Sequence, residues 1–123
     1  MAHHNELGRW GEDIAAAALE AEGAVIRERN WRMGRLEIDI VACRGADLIF
    51  AEVKTRADAD EDPLEAVDER KIAHMVRAAE AYLRGCDVPF GVRFDLFAIR
   101  GTPSSHTVEH IPDAFYPPLK SYR

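Results

Sequence analysis

Leu36-Glu37-Ile38-Asp39-Ile40-Val41 and Phe50-Ala51-Glu52-Val53-Lys54 both alternate apolar and polar residues at period two, and each reads as a β-strand. Between them, Arg44-Gly45-Ala46-Asp47 places a glycine where a two-residue type II′ hairpin wants one. Counting back from Arg44 opposite Asp47 sets Asp39 opposite Glu52 and Glu37 opposite Lys54. Opposed residues share a face, with Cβ atoms about 4.5–5.5 Å apart, and facing carboxylates repel. A divalent cation between them removes the conflict, because hard cations take carboxylate oxygens as ligands. The hairpin therefore reads as a metal site with a lysine beside it.

The chain around it has the size and composition of one soluble domain. Its 123 residues, 47% hydrophobic and 31% charged, suit a single core spanning 1–123 and argue against general disorder. No apolar run approaches the roughly 20 residues of a membrane helix, and no basic-then-apolar leader opens the chain. A cytoplasmic protein without a membrane partner is expected. His3 and His4 read as a terminal accident, and Cys43 and Cys86, with no motif spacing, as reduced bystanders.

The formal charge of −6 speaks at first against nucleic acid. Its distribution softens that objection, since Ala57 to Glu69 holds seven of the 22 acids and no Lys or Arg. Arg27, Arg29, Arg32 and Arg35 cluster around Trp31, and such a group can bind backbone phosphate and stack a base. Protection of a strand edge explains the same arginines equally simply.

Along the chain, Glu6 to Glu22 predicts a helix with Asn5 as N-cap and Gly23 at C′. Gly8 and Gly11 each cost that helix about 1 kcal/mol, which points to something passing close to its first turns. Ala24 to Trp31 predicts a strand that precedes the hairpin. After the acidic loop a second helix starts either at Pro63 or afresh at Asp68, and runs through Leu83 to Gly85. Val92 to Ile99 and His106 to Ile111 predict two more strands, followed by a Pro-rich tail from Pro112 that wraps the surface. Helix, three strands, helix and two strands make an α/β fold: a mixed sheet of about five strands flanked by helices. The Val92 strand is expected parallel to the Phe50 strand.

The hairpin's chemistry follows from its donors. Asp39, Glu52 and the Val53 carbonyl can hold Mg²⁺ or Mn²⁺, which keeps several waters and takes substrate phosphate oxygens. Such an ion acidifies bound water and neutralises charge growing on phosphorus. Lys54 shares the strand face of Glu52 and reaches the same water or phosphate. Glu12 can hold an outer-shell water if the first helix packs beside the hairpin. Arg56, farther along the face of Lys54, is placed to touch phosphate. Metal, water and ammonium together specify phosphodiester hydrolysis.

Asp39, twelve intervening residues, then Glu52-Val53-Lys54 resembles the PD-(D/E)XK nuclease motif. The wider set is Gly8-x-x-Gly11-Glu12, Glu37-Ile38-Asp39-Ile40, Glu52-Val53-Lys54-x-Arg56, Glu65-Ala66-Val67, Lys71 and Arg93-Phe94-Asp95. It resembles the YraN-type family of small predicted endonucleases over almost the whole chain. That family is similar in fold to archaeal Holliday junction resolvases. The resemblance implies a restriction-endonuclease-like fold, Glu12, Asp39, Glu52 and Lys54 as catalytic residues, Glu37 and Lys71 as supporters, and a homodimer. Ile38 replaces the motif's proline, and Leu36 stands where the family usually has glycine, altering the approach to the site.

Simpler roles compete for several of these residues. Glu37 and Lys54 form a cross-strand ion pair, Lys71 is solvated on its helix, and Arg93 and Asp95 form a structural pair. Three functions are weighed: a metal-dependent endonuclease acting on DNA (rather than RNA) that is branched or distorted, an inactive nucleic-acid-binding module of the same fold, and a protein-interaction domain.

Overall fold

The computed structural model describes residues 5–86 and 91–115, so His3, His4 and the chain beyond Phe115 lie outside it. The elements follow the expected order: α1 (Glu6–Ala21), β1 (Val25–Met33), β2 (Leu36–Arg44), β3 (Asp47–Arg56), α2 (Glu69–Leu83), β4 (Gly91–Thr102) and β5 (Ser105–Phe115). The strands form one mixed sheet in chain order, with β3 and β4 parallel and the other neighbours antiparallel. It is the α/β arrangement expected of the sequence.

Local chemistry explains the element ends. Asn5 caps α1, its side chain accepting the Gly8 N–H at 2.7 Å, and Gly23 leaves the helix at φ +96°. Both proposed starts of the second helix are used, by different elements. Asp62 caps a short 3₁₀ turn (Pro63–Ala66), and Asp68 accepts the Lys71 N–H at 2.9 Å to start α2. β5 runs on to Phe115, so the tail does not leave the sheet at Pro112 as expected. Asp113, at φ +53°, bends the strand and keeps its N–H bonded to Asp95.

Each face of the sheet is covered by one helix. Ala15, Ala16 and Leu19 of α1 pack on Ile40, Ala42, Ile49, Ala51 and Phe97. Met75, Val76, Ala79 and Tyr82 of α2 pack on Val41, Leu48, Phe50 and Phe94. Trp31 lies partly buried against this second cluster, edge-on to Tyr82 at 5.3 Å, and Arg27 sits over the Tyr82 ring. Trp31 thus packs part of its ring on this cluster and leaves the rest accessible.

Beneath β5, Asp95 is fully buried and takes both Arg93 Nε and Nη2 at 2.8 Å, His110 Nε2 at 2.7 Å and the Asp113 N–H at 3.0 Å. Burial alone would push its carboxyl up, but these donors hold it below the ordinary value. His110 Nδ1 meets Glu22 Oε2 at 3.0 Å, tying the end of α1 to the sheet. Arg93 and Asp95 are thus the structural pair expected, within a larger network.

Gly11 fixes how α1 sits. A Cβ there would collide with Thr55 Oγ1 on β3, so the helix approaches this strand as only glycine allows. Gly11→Ala is expected to cost about 1–3 kcal/mol in urea unfolding. Adding Thr55→Ala should return part of the loss, whereas a double variant no better than the sum of its parts would contradict the contact.

Candidate functional site

The β2–β3 hairpin has the expected register over Ile40↔Ala51, Val41↔Phe50, Ala42↔Ile49, Cys43↔Leu48 and Arg44↔Asp47. Gly45 turns at φ +60° while Ala46 stays out of the left-handed region, as a type II′ turn requires. The ladder stops at Ile40. Beyond it Asp39 Oδ2 accepts the Val53 N–H at 2.9 Å, so a side chain replaces a strand carbonyl and the strands part. Alternation slips at the same place: Ile38 buries with Val41 on the α2 side, whereas Ile40 buries on the α1 side.

Into this opening come charges from β3, α2, α1 and β1. Glu52, almost completely buried, has Oε2 3.3 Å from Lys54 Nζ and 3.2 Å from Lys71 Nζ, the latter delivered by α2. Glu12, also buried, is brought by the Gly11 approach and lies 3.8 Å from Arg29 Nη2. Arg29 is held by Asp13 at 2.8 Å. Burial, and next the charge of Glu52, pushes the half-buried Asp39 carboxyl up to about 8. Glu12 adds to the rise, while the Val53 N–H and Lys71 oppose it.

Asp39, Glu52, Lys54, Lys71, Val53 and Glu12 thus interact around one opening. Surface solvation does not describe Lys71, since docking of α2 aims its ammonium at Glu52. Two expectations fail. Glu37 does not pair with Lys54, because the ladder ends before reaching them; it faces Arg32 on β1, with Oε2 3.8 Å from Arg32 Nε. Asp39 and Glu52 likewise lie past the last ladder pair and interact across the opening rather than as ladder partners, and an ion is not the sole remedy for their repulsion: two ammoniums already balance Glu52, and a raised pKa relieves Asp39. Arg56 lies on the same strand, its Nη1 bonded to the Thr55 carbonyl at 3.0 Å. Arg29 was missed at this site; its only sequence signal was membership of the arginine cluster.

Among the described residues, no three His, Cys, Asp or Glu side chains close a metal cage by themselves. The donor set still fits a hard divalent ion, because Mg²⁺ is commonly held by one or two carboxylates plus waters and phosphate. Like-charge crowding at Asp39 is the second observation in favour, since a cation there opposes the rise.

The sequence model of the uncharacterised protein family UPF0102 matches residues 11–99, a span containing all of these side chains. The chain belongs to this family. A UPF0102 protein of Bacteroides thetaiotaomicron is 48% identical over 120 residues, covering 97% of this chain and 99% of the relative. A UPF0102 protein of Phocaeicola vulgatus is 46% identical with the same coverage. Another, from Flavobacterium johnsoniae, is 43% identical over 94% of this chain and 98% of its own length. The family match thus reaches both helices and four of the five strands. Among the described residues of this UPF0102 chain, no helix is long and apolar enough to cross a membrane.

Proposed function

We propose that this UPF0102 protein is a Mg²⁺- or Mn²⁺-dependent endonuclease that hydrolyses phosphodiester bonds in DNA, branched or distorted DNA in particular. The observation that supports this reading best is the opening past Ile40↔Ala51, where Asp39 and Glu52 meet with Lys54 and Lys71 on Glu52. Asp39, Glu52 and the Val53 carbonyl would hold the ion, which supplies an acidified water and charge neutralisation at phosphorus. The Val53 N–H fixes the Asp39 carboxylate, so its free oxygen is oriented before any ligand arrives. Lys54 presents an ammonium beside Glu52, placed to bind a phosphate oxygen as its charge grows. Lys71 holds Glu52 from the α2 side. Glu12, kept in place with Arg29, is positioned to accept a proton from an outer water. The resemblance to PD-(D/E)XK nucleases extends the reading to a restriction-endonuclease-like fold and a homodimer in the cytoplasm.

A second reading is a nucleic-acid-binding module without turnover. The observation favouring it is that Lys54 and Lys71 already compensate Glu52 without a metal. Incubating the protein with single-stranded, duplex and four-way DNA, with Mg²⁺, Mn²⁺ or EDTA, separates the two. The endonuclease cuts only with metal, and Glu52→Gln folds but does not cut. Binding that persists in EDTA, with no cutting under any metal, establishes the module instead.

A further inference from the structure

β1 and β2 are joined by Gly34 and Arg35, a two-residue turn with Gly34 at φ +61° and Met33 paired to Leu36. Beside this tip lies a groove of about 380 Å³ lined by Arg32, Gly34, Arg35, Leu36 and Glu37. That volume is within the range of small-molecule sites. Its far wall, Glu37, also borders the small recess formed with Ile38, Phe50, Glu52 and Met75, so the groove adjoins the carboxylate opening.

The groove's chemistry is mixed. Arg35 is exposed and, among the described residues, enters no ion pair, while Arg32 shares its charge with Glu37 at 3.8 Å. Arg35 is therefore the stronger anion contact, and a guanidinium grips phosphate bidentately. Leu36 supplies an apolar wall, and Met33 at the tip is 54% exposed. Phosphate with an attached sugar and base satisfies both kinds of surface; a bare anion satisfies only one. Arg35, in the turn just before β2, precedes Asp39 by four residues, about 13 Å of extended chain.

We propose that this groove is a substrate subsite, in which Arg35, aided by Arg32, holds a backbone phosphate of the nucleic acid to one side of the bond at Asp39 and Glu52. The inference rests on the endonuclease reading for its substrate, and assigns a positioning role to Arg35. Leu36 and Glu37 of the groove belong to β2, the strand that bears Asp39, so a phosphate held there sets which neighbouring bond reaches the carboxylates.

The test measures anisotropy of a labelled four-way DNA in Ca²⁺ across a salt series, for the unaltered protein, Arg35→Glu and Arg77→Glu. Arg77 is exposed on α2 and does not line the groove, so it controls for net charge. Arg35→Glu should weaken binding at least about tenfold and lower the salt slope by about one, while Arg77→Glu changes neither. Melting temperatures within a degree or so of the parent exclude misfolding. Equal weakening by both substitutions, or none by Arg35→Glu, overturns the subsite. Hydrolysis of bis(p-nitrophenyl) phosphate by the unaltered protein reports the carboxylate centre separately. If that hydrolysis is present and Arg35→Glu binds DNA normally, the subsite fails alone. If it is absent while Arg35→Glu still loses DNA specifically, the groove stands as a nucleic-acid phosphate contact and the endonuclease reading falls.

Discussion

Asp39→Asn is expected to abolish metal-dependent cleavage and yet make the metal-free protein more stable at pH 8. Burial first, and the Glu52 charge second, raise this carboxyl from its ordinary 3.8 to about 8. The folded chain therefore holds the proton more tightly than the unfolded chain does. Well below pH 3.8 both states are protonated and Asp39 makes no difference. Between there and about pH 8 the unfolded chain releases its proton and the folded one keeps it, so stability falls as pH rises. Above that window the loss is complete. At about 1.4 kcal/mol per pKa unit the ceiling is about 6 kcal/mol, and solvent screening at this half-buried carboxyl lowers the expected size at pH 8 to the order of 1–3 kcal/mol. Asparagine stays neutral, and its Oδ1 still accepts the Val53 N–H. In EDTA, melting curves from pH 5 to 9 should decline more steeply for the parent than for Asp39→Asn. Parallel curves would contradict the account. Added Mg²⁺ should raise the parent's melting temperature more at pH 8.5 than at pH 6, because a ligating carboxyl must first lose its proton.

The second large effect concerns the two ammoniums on Glu52. Lys54→Met and Lys71→Met each leave the other lysine within salt-bridge reach, so each alone should cost about 1 kcal/mol. Removing both strands a buried carboxylate beside Asp39, and about 3–5 kcal/mol should be lost, more than the sum. Glu52→Gln added to the double variant should recover most of it, since no buried charge then lacks a partner. Additive losses in urea unfolding would show that the lysines act on separate groups. Activity should divide them differently. Lys54→Met is expected to lower cleavage by about 10²–10³, the scale of one lost charge-stabilising donor, and Lys71→Met by much less. Equal losses would remove the distinction between a phosphate-binding and a carboxylate-holding lysine.

Local rules made much of the fold legible. Asn5, Gly23, Asp62 and Asp68 mark their element ends by side-chain chemistry and φ preference, and Gly45 fixes the hairpin register. Period-two alternation located β3 and β4, and the helix between them predicted the parallel pairing. The opening at Asp39 was invisible to alternation, because it depends on one carboxylate taking one backbone N–H from the next strand. Its consequence, that Glu37 pairs with Arg32 instead of Lys54, was invisible for the same reason. Lys71 could be named only by resemblance, since its reach to Glu52 depends on how α2 docks. His110 and Glu22 join Asp95 through tertiary contacts alone, which no spacing in the sequence reveals.

The most direct test of the central claim is Mn²⁺ binding, followed by the loss of the free-ion EPR signal at pH 8 with an uncleavable phosphorothioate DNA present. The account predicts that the parent protein withdraws Mn²⁺ from solution and that Asp39→Asn and Glu52→Gln, both folded, do so far less. Mn²⁺ uptake by the parent that is absent, or that survives both substitutions unchanged, would contradict it.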